Sequence, residues 1–360
     1  MSGIVNIKRG LPSVLLRTAR WHMRHYLGGV DFPLAATFQL TNRCNLRCVM
    51  CNIPNNPDQG VLSLDLFRGI VRELSTLGCC FASLSGGEVL TIPDFFDYLR
   101  EAKKSLPSVN TVTNGLLLDE AAAMEFNAAG VDSVSLSLDG MDKTHESIRR
   151  SPGAFSKTVR AIENLKKHAP GVKVVVNTVI MPGNIDDLYR LTRFVNSLKV
   201  AHKFQPLNEH PSFDGQKKEY SVDREMDLRK VRAFVAFLAG RKNVANSKYF
   251  LRSIPGYFSN GNRSGLFNER CHLPKFFCEF RENGMMYPCL GGVEWKDGYP
   301  AGKGLRKIFE SAEYGKDVKK LEGCRLCQRS YSVCYIEPRV TFPVTNFFKY
   351  KLFSRLKGTV

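Results

Sequence analysis

Residues 35–51 read AATFQLTNRCNLRCVMC, a short β-like run followed at once by three closely spaced cysteines. Cys44, Cys48 and Cys51 have the spacing C-x3-C-x2-C. Three thiolates placed this closely after a strand can hold three corners of an iron–sulfur cube, which ordinarily uses four cysteines. The fourth iron then stays open, and an open metal position is where a substrate or cofactor can bind.

The chain around this stretch alternates β-like runs with helical patterns. The strand predictions are Ala35–Leu40, Phe81–Leu84, Asn110–Thr113, Ser133–Leu138, Lys173–Ile180 and Lys203–Leu207. The helix predictions are Leu64–Leu77, Asp94–Lys104, Glu120–Ala129, Ser156–His168 and Ile185–Leu198, with start signals at Ser63, Pro93, Asp119 and Asn184. This alternation predicts parallel βα units, because a parallel pair needs a crossover helix between its strands. We expect an α/β fold, a partial (β/α)6 barrel with its chemistry at the carboxyl ends of the strands; a doubly wound sheet is the alternative.

With these features the chain resembles the radical S-adenosylmethionine (SAM) superfamily, whose signature is C-x3-C-x2-C after the first strand of a βα repeat. The resemblance implies that Cys44, Cys48 and Cys51 bind a [4Fe–4S] cluster whose open iron is chelated by SAM. It also implies reductive cleavage of SAM to methionine and a 5′-deoxyadenosyl radical, which abstracts hydrogen from a substrate. A zinc or redox cysteine cluster is the alternative for the same three residues.

Polar residues near the ends of later strands are the candidates for holding SAM. The run Ser85-Gly86-Gly87-Glu88 combines glycines, which let the backbone approach a ligand closely, with an acceptor for an ammonium group. The run His145-Glu146-Ser147-Ile148-Arg149 resembles the segment that in related enzymes sends an arginine to the SAM carboxylate, which implies Arg149 in preference to Arg150; a surface salt bridge is the alternative. Asp139-Gly140 fits either a site residue or a simple turn. The resemblance implies the SAM-binding set Gly86, Gly87, Glu88, Asn114, Ser137, Arg149 and Asn177. The sequence assigns no catalytic side chain.

A second group of six cysteines lies between residues 271 and 334. The pattern is Cys271-x12-Gly284-x4-Cys289, then Cys324-x2-Cys327 and Cys334, with Gly284 placed for a hairpin turn. It resembles the C-terminal SPASM and twitch domains, which hold auxiliary [4Fe–4S] clusters. The resemblance implies one auxiliary cluster bound by Cys271, Cys289, Cys324 and Cys327, with Cys278 and Cys334 as alternates. A zinc ribbon using the same four cysteines is the alternative.

The composition indicates a globular chain with a strong positive charge. The 360 residues carry 52 Lys and Arg against 34 Asp and Glu, a formal charge of +18, and 43% are hydrophobic. No apolar run reaches the roughly 18 residues that a membrane-spanning helix needs. We expect a cytoplasmic protein with reduced thiols, which favours metal ligation by the clustered cysteines. Cys79 and Cys80 are expected instead to be small buried side chains at the amino end of the barrel.

The predicted organisation has five parts. Residues 1–33 form a basic helical segment, 34–207 the partial barrel, 208–265 a connector with a helix at Asp223–Leu238, 266–340 the small iron–sulfur domain and 341–360 a basic amphipathic tail. Residues 1–30 and 341–360 carry basic but no acidic side chains. These ends could lie on an anionic membrane surface, peripheral to its inner face, or pack on the barrel with their charges solvated.

For the substrate, the sequence favours a small sugar, nucleotide-linked or lipid-linked molecule over a peptide. The basic ends suit phosphates, and the 34 residues before the first strand are too few for the leader-binding domain that peptide-modifying relatives often carry. A peptide or protein side chain is the alternative. The resemblance also implies an external one-electron reductant, and no specific nucleic acid is expected. A non-catalytic zinc-binding interaction protein is the alternative from another functional class.

Overall fold

The computed structural model describes residues 11–207, 226–259, 271–289 and 298–323, and its centre is one nine-stranded sheet. All six predicted strands are present, and the fifth has the predicted bounds. The strands are β1 (Ala35–Gln39), β2 (Phe81–Ser85), β3 (Ser108–Thr113), β4 (Ser133–Ser137), β5 (Lys173–Ile180), β6 (Ala201–Pro206), β7 (Phe277–Arg281), β8 (Met285–Tyr287) and β9 (Tyr299–Pro300).

The described ranges contain the five crossover helices that the sequence predicted, together with other helices. They are α1 (Leu11–Tyr26), α2 (Leu64–Leu77), α3 (Phe95–Ser105), α4 (Glu120–Ala129), α5 (Asp142–Arg149), α6 (Ala154–His168), α7 (Leu188–Ser197), α8 (Leu228–Ala239), α9 (Lys248–Phe258), α10 (Leu273–Phe276), α11 (Leu305–Glu310) and α12 (Ala312–Glu322). α2 begins as predicted, because the Ser63 side chain accepts a hydrogen bond from the Leu66 amide. α7 begins later than predicted. Its expected cap, Asn184, is buried and donates to the carbonyls of Asp139 and Val179 instead.

The strand order decides between a barrel and a doubly wound sheet. The order is β6-β5-β4-β3-β2-β1 with every pair parallel, so each unit adds its strand on the same side of the previous one. A doubly wound sheet reverses direction at a switch point. Right-handed crossovers that never reverse keep the connecting helices on one face of the sheet. The prediction of a partial barrel is confirmed, and within the described residues β6 and β1 do not pair to close it.

The cysteine-rich part of the chain extends the same sheet. β7 pairs in parallel with β1 along its whole length, and β8 returns antiparallel to β7. The predicted hairpin turn is present, with Gly284 at φ +77°. Phe38 of β1 stacks on Phe280 of β7 with ring centroids 5.0 Å apart. β7 is therefore a seventh strand of the barrel wall.

Residues 226–259, expected as part of a connector, contain two helices that pack at the far edge of the sheet. α8 begins at Leu228 because the Asp227 side chain caps it, five residues after the predicted start; α9 was not predicted. Phe234 of α8 meets Phe204 of β6 edge to face, with centroids 5.5 Å apart. The Tyr257 hydroxyl of α9 donates to the Leu207 carbonyl at 2.9 Å. These contacts cover the edge strand β6, which is otherwise open to pairing with another chain.

α1 lies at the amino ends of the strands, opposite their carboxyl ends. Trp21 Nε1 donates to the Phe32 carbonyl at 2.8 Å, and Arg17 Nη1 donates to the Cys79 carbonyl at 2.5 Å. Cys79 and Cys80 are fully buried there, as predicted. Within the described ranges no helix combines the length and apolar character needed to cross a membrane. The predicted tail, 341–360, lies outside the described residues.

Candidate active site

A cavity of about 300 Å³ lies at the carboxyl ends of the parallel strands. Its wall includes nine of the ten side chains or glycines that the barrel motifs predicted for the cluster and SAM. These nine are Cys44, Cys48, Cys51, Gly86, Gly87, Asn114, Ser137, Arg149 and Asn177. The tenth, Glu88, lies behind the wall. Residues from loops far apart in sequence therefore meet at the end of the barrel where α/β proteins place their chemistry.

The loop that carries the cysteines rests on the glycine turn after β2. The Gly87 amide donates to the Thr41 carbonyl at 2.7 Å, and the Glu88 amide donates to the Arg43 carbonyl at 2.8 Å. A Cβ atom at Gly87 would lie 2.2 Å from the Arg43 carbonyl oxygen, and one at Gly86 would lie 2.6 Å from that of Thr41. The sequence placed these glycines against a ligand. In the structure their close neighbour is the backbone of the cysteine loop.

We expect Gly87→Ala to destabilise the protein by about 2 kcal/mol and to reduce its iron content, because backbone cannot yield to the new methyl group as a side chain can. Gly69→Ala is the matched control. Gly69 lies within α2, where an added Cβ meets nothing within 4 Å, so helix propensity predicts a gain of about 1 kcal/mol. Thermal unfolding and iron analysis after reconstitution measure both effects. Equal stability and equal iron in the two variants would contradict the packing role of Gly87.

The chemistry of the three thiols fits a polynuclear metal cluster. Burial raises the pKa of Cys44 to about 12 and that of Cys51 to about 11, and the neighbouring Cys48 thiol adds to both shifts. A bound cation reverses this penalty, because a coordinating thiol is held as the thiolate. In the described part of the chain no three His, Cys, Asp or Glu side chains are close enough to share a single metal ion. An iron–sulfur cube places each thiolate on its own iron and so spaces its ligands more widely than one zinc ion does.

Arg149 links the cysteine loop to the end of β4. Its Nη1 donates to Cys48 Sγ at 3.6 Å, and its Nη2 lies 2.5 Å from Asp139 Oδ2. Burial alone lowers the pKa of Arg149, but Asp139 and the Cys48 thiol outweigh burial and raise it overall, so the guanidinium stays charged. Arg150, the alternative, is exposed at the end of α5 with φ +50°. The structure therefore places Arg149, and not Arg150, in the cavity.

Glu88 has a different environment from the one the sequence suggested. The side chain is almost fully buried, and burial raises its pKa. One carboxylate oxygen accepts hydrogen bonds from the Thr113 hydroxyl at 2.6 Å and the Leu90 amide at 3.1 Å; the other accepts from the Asn114 amide at 2.7 Å. These bonds hold the end of β3 against the glycine turn. Contact between Glu88 and the SAM amino group stays a prediction.

Asn114, Ser137 and Asn177 line the cavity from three consecutive strands, Asn114 just after β3, Ser137 at the end of β4 and Asn177 within β5. The Asn114 side chain donates to Asn45 Oδ1 at 2.7 Å, which ties β3 to the cysteine loop. Asn177 Oδ1 is buried and has no hydrogen-bond partner among the described residues. A buried amide oxygen without a partner is costly, so this atom fits a polar ligand in the cavity. The residues present are therefore suited to hold a molecule with the hydrogen-bonding groups of SAM.

The site contains two acidic residues that the sequence did not assign to it. The role of Asp139 was left open, and Glu279 was missed. Asp139 is a fully buried site residue that holds Arg149, and not merely part of a turn. Glu279 of β7 also lines the cavity, and burial, partly offset by Arg281, raises its pKa to about 7. Arg281 Nε donates to one of its oxygens at 2.8 Å, while the other has no partner within the described structure. The predicted hairpin at Gly284 implied a strand over Phe276–Arg281, but nothing local indicated that this strand lies beside β1.

The cysteines predicted for an auxiliary cluster are only partly described. Cys271 and Cys289 are buried. Cys278 is fully buried on β7, and its electrostatic neighbours are Cys79 and Tyr314. Because Cys278 precedes Glu279 on a strand, it faces away from the cavity. Cys324, Cys327 and Cys334 lie outside the described residues, so the predicted ligand set stays a prediction.

Comparison with known proteins gives one family and several relatives. A family model described as the Radical SAM superfamily matches residues 38–195. Mycofactocin maturase MftC of Mycobacterium ulcerans is 32% identical over 317 residues, which is 83% of this chain and 80% of that protein. AdoMet-dependent heme synthase of Methanosarcina barkeri is 32% identical over 169 residues, 46% of this chain and 48% of that protein. The chain thus spans four fifths of one relative and about half of the other.

A solved structure has a similar fold. SuiB of Streptococcus suis bound to S-adenosylmethionine gives a TM-score of 0.65 at 19% identity, covering 92% of this chain and 80% of that chain. SuiB bound to its precursor peptide SuiA gives a TM-score of 0.64 at 18% identity, covering 89% of this chain and 76% of that chain. The likeness shows a shared fold that extends beyond the six-stranded core.

Proposed function

The chain belongs to the radical SAM superfamily, and we propose that it is a maturase that modifies a peptide by hydrogen abstraction. Members of this superfamily use a [4Fe–4S] cluster and SAM, and the chain is accordingly an enzyme. The observation that supports this chemistry best is the convergence of three thiols, a buried guanidinium and an unpartnered amide oxygen on one cavity. The expectations of a cluster, of SAM and of an enzyme are confirmed by the family; the residues assigned to them are part of the proposal.

When bound, the cluster and SAM supply one electron and a 5′-deoxyadenosyl radical that removes a hydrogen atom from the substrate. The chain's own residues would bind the cluster and orient SAM. We assign Cys44, Cys48 and Cys51 to the cluster. Arg149 lies beside Cys48 in this cavity, where it would offset the negative charge of the thiolates and would pair with the SAM carboxylate. The unpartnered amide oxygen of Asn177 would accept a hydrogen bond from a hydroxyl or amine of SAM.

The expectation that a small sugar, nucleotide-linked or lipid-linked molecule is favoured over a peptide is wrong. The relative matched over four fifths of its length is a maturase, and SuiB, whose fold is similar, has been solved with a precursor peptide. The basic ends misled because net charge reports a general attraction to anions and says nothing about the active site. The peptide alternative is therefore the proposed function.

Glu279 is the residue we assign to the substrate side of the cavity. It reaches the cavity from β7, beside β1, whereas the SAM-binding candidates extend from β2 to β5. Its free carboxylate oxygen accepts hydrogen bonds, and a peptide presents N–H donors along its whole backbone. A buried acceptor without a partner favours ligands that bring a donor. This arrangement supports a peptide better than an apolar substrate.

The C-terminal cysteines support one auxiliary [4Fe–4S] cluster, as the sequence predicted. Cys271 and Cys289 would be two of its four ligands, and the chain keeps Cys324 and Cys327 for the others. Among the described cysteines, seven are free thiols: Cys44, Cys48, Cys51, Cys79, Cys80, Cys271 and Cys278. Free thiols and oxygen-sensitive clusters persist in a reducing compartment, so we place the protein in the cytoplasm.

The test uses anaerobically reconstituted full-length protein with SAM and dithionite. Candidate substrates are peptides encoded by short reading frames beside the gene and, for comparison, a polyprenyl-linked sugar. We expect one peptide to raise formation of 5′-deoxyadenosine above the uncoupled background and to change in mass. Deuterium placed at the modified position should appear in 5′-deoxyadenosine. Stimulation by the sugar alone would contradict the peptide substrate, and no SAM cleavage by fully iron-loaded protein would contradict the chemistry itself.

A further inference from the structure

α1 has an apolar surface on the side that faces solvent. Six of the eight exposed large apolar side chains in the described residues lie within one short segment: Leu15, Leu16, Met23, Tyr26, Leu27 and Val30. Leu16 is 62% exposed and Leu27 is 80% exposed. With 3.6 residues per turn, the first five fall within an arc of about 120°. We call Leu15, Leu16, Met23, Tyr26 and Leu27 the α1 apolar face.

The apolar face is not the side by which α1 packs on the barrel. Val14 and Trp21 are buried beneath the helix, and Arg17 anchors it through the Cys79 carbonyl. A surface helix of a globular protein normally turns polar side chains outward. An exposed apolar patch of this kind marks an interaction surface. The face also lies at the amino ends of the strands, so an occupant there leaves the cavity at the other end open.

Arginine side chains flank the α1 apolar face. Arg17, Arg20 and Arg24 line a niche of about 170 Å³ against the end of α2 at Ser75–Gly78. Arg24 also lies over the Phe32 ring, 4.7 Å from its centroid. No acidic residue occurs in the first 30 residues of the chain. The surface therefore combines apolar side chains with a concentrated positive charge, which is the pairing that an anionic lipid headgroup and its acyl chains complement.

We propose that α1 is a docking surface for an anionic phospholipid bilayer. The α1 apolar face enters the boundary between headgroups and acyl chains, and the arginine niche receives a lipid phosphate. Tyr26, with an aromatic ring and a hydroxyl, suits the boundary region. This docking does not depend on the identity of the substrate.

The charge of the surface argues against a second copy of the chain as the occupant. In a two-fold dimer through α1, the same patch meets itself, so the arginines of both copies would approach one another. Like charges placed together across an interface cost several kcal/mol in general. A lipid surface meets the same arginines with phosphates instead.

The experiment is co-sedimentation of the full-length, iron-loaded protein with vesicles. We compare phosphatidylcholine vesicles with vesicles of equimolar phosphatidylcholine and phosphatidylglycerol. We expect the anionic vesicles to bind at least about tenfold more tightly, because each arginine near an anionic surface adds to the attraction. The triple variant Leu16→Gln/Met23→Gln/Leu27→Gln should lose about 100-fold in binding to anionic vesicles. It should keep its iron content and its rate of SAM cleavage.

The control variant is Leu117→Gln/Met124→Gln, which removes the two other exposed large apolar side chains of the described residues and should bind as the parent does. Equal loss in both variants would show a general effect of surface hydrophobicity and would overturn the proposal. Binding to neither kind of vesicle would overturn it too. Sedimentation velocity without lipid gives a further check: a dimer that the triple variant abolishes, without vesicle binding, would assign the face to self-association.

Discussion

Replacing Cys48 with alanine should reduce SAM cleavage by at least about 100-fold, because even the outer partners of metal ligands are typically worth 10- to 100-fold. Cys48 accepts a hydrogen bond from Arg149, and its thiol adds to the burial that raises the pKa of Cys44 and Cys51. Its loss removes one ligand of the proposed cluster and the partner of a buried guanidinium. The measurement is the rate of 5′-deoxyadenosine formation with dithionite under anaerobic conditions.

Iron analysis of the same variant separates the two proposed clusters. We expect about eight irons per chain in the parent and about four in the variant, since the auxiliary cluster uses other cysteines. Cys80→Ala is the matched control, because Cys80 is fully buried at the opposite end of the barrel. It should cost about 1 kcal/mol in stability and leave cleavage unchanged. Full cleavage by the Cys48 variant would show that the thiol is not a cluster ligand. Four irons in the parent would contradict the auxiliary cluster.

The fold was predictable as far as its signals are local. β5 and α2 have their predicted bounds because a run of β-branched residues and a serine cap act within a few neighbours. The choice of a barrel over a doubly wound sheet was predicted correctly from the polar residues at the strand ends and the family resemblance; the order in which the strands pair was not itself read from the sequence. The position of β7 beside β1 is the extreme case. Residues more than 200 positions apart pair there, and no pattern in either strand indicates which strand it pairs with.

In the candidate site, too, the local motifs were predictable and the residues brought in by long-range contacts were not. The cysteine loop and the glycine turn are short motifs, so the sequence found both. The sequence did not show why glycine is needed at residue 87. The need comes from the close approach of the Arg43 backbone, which belongs to the loop after a different strand. Glu279 was missed because it enters the cavity only through the pairing of β7. Asp139 looked like a turn residue because its partner, Arg149, follows ten positions later at the end of α5.

The pair formed by Asp139 and Arg149 gives the largest expected effect on stability. We expect Arg149→Met to lower the free energy of unfolding by about 3 to 5 kcal/mol, because removing one partner leaves an uncompensated buried charge. Asp139 is fully buried, and its second oxygen is already used by the Val179 amide at 2.9 Å. SAM cleavage should fall with stability. Denaturant unfolding and the cleavage assay at a temperature where the variant is folded measure the two effects separately.

Two further variants decide whether Arg149 acts on the chemistry or only on the fold. Arg150→Met, one residue away and exposed, should change stability by no more than about 0.5 kcal/mol and leave cleavage intact. The double variant Asp139→Asn/Arg149→Met removes both charges, so it should recover most of the lost stability. It should not recover cleavage, because the positive charge beside Cys48 is still missing. Recovery of both would make Arg149 a structural partner of Asp139 alone, whereas recovery of stability without cleavage requires a role for its charge in the cavity.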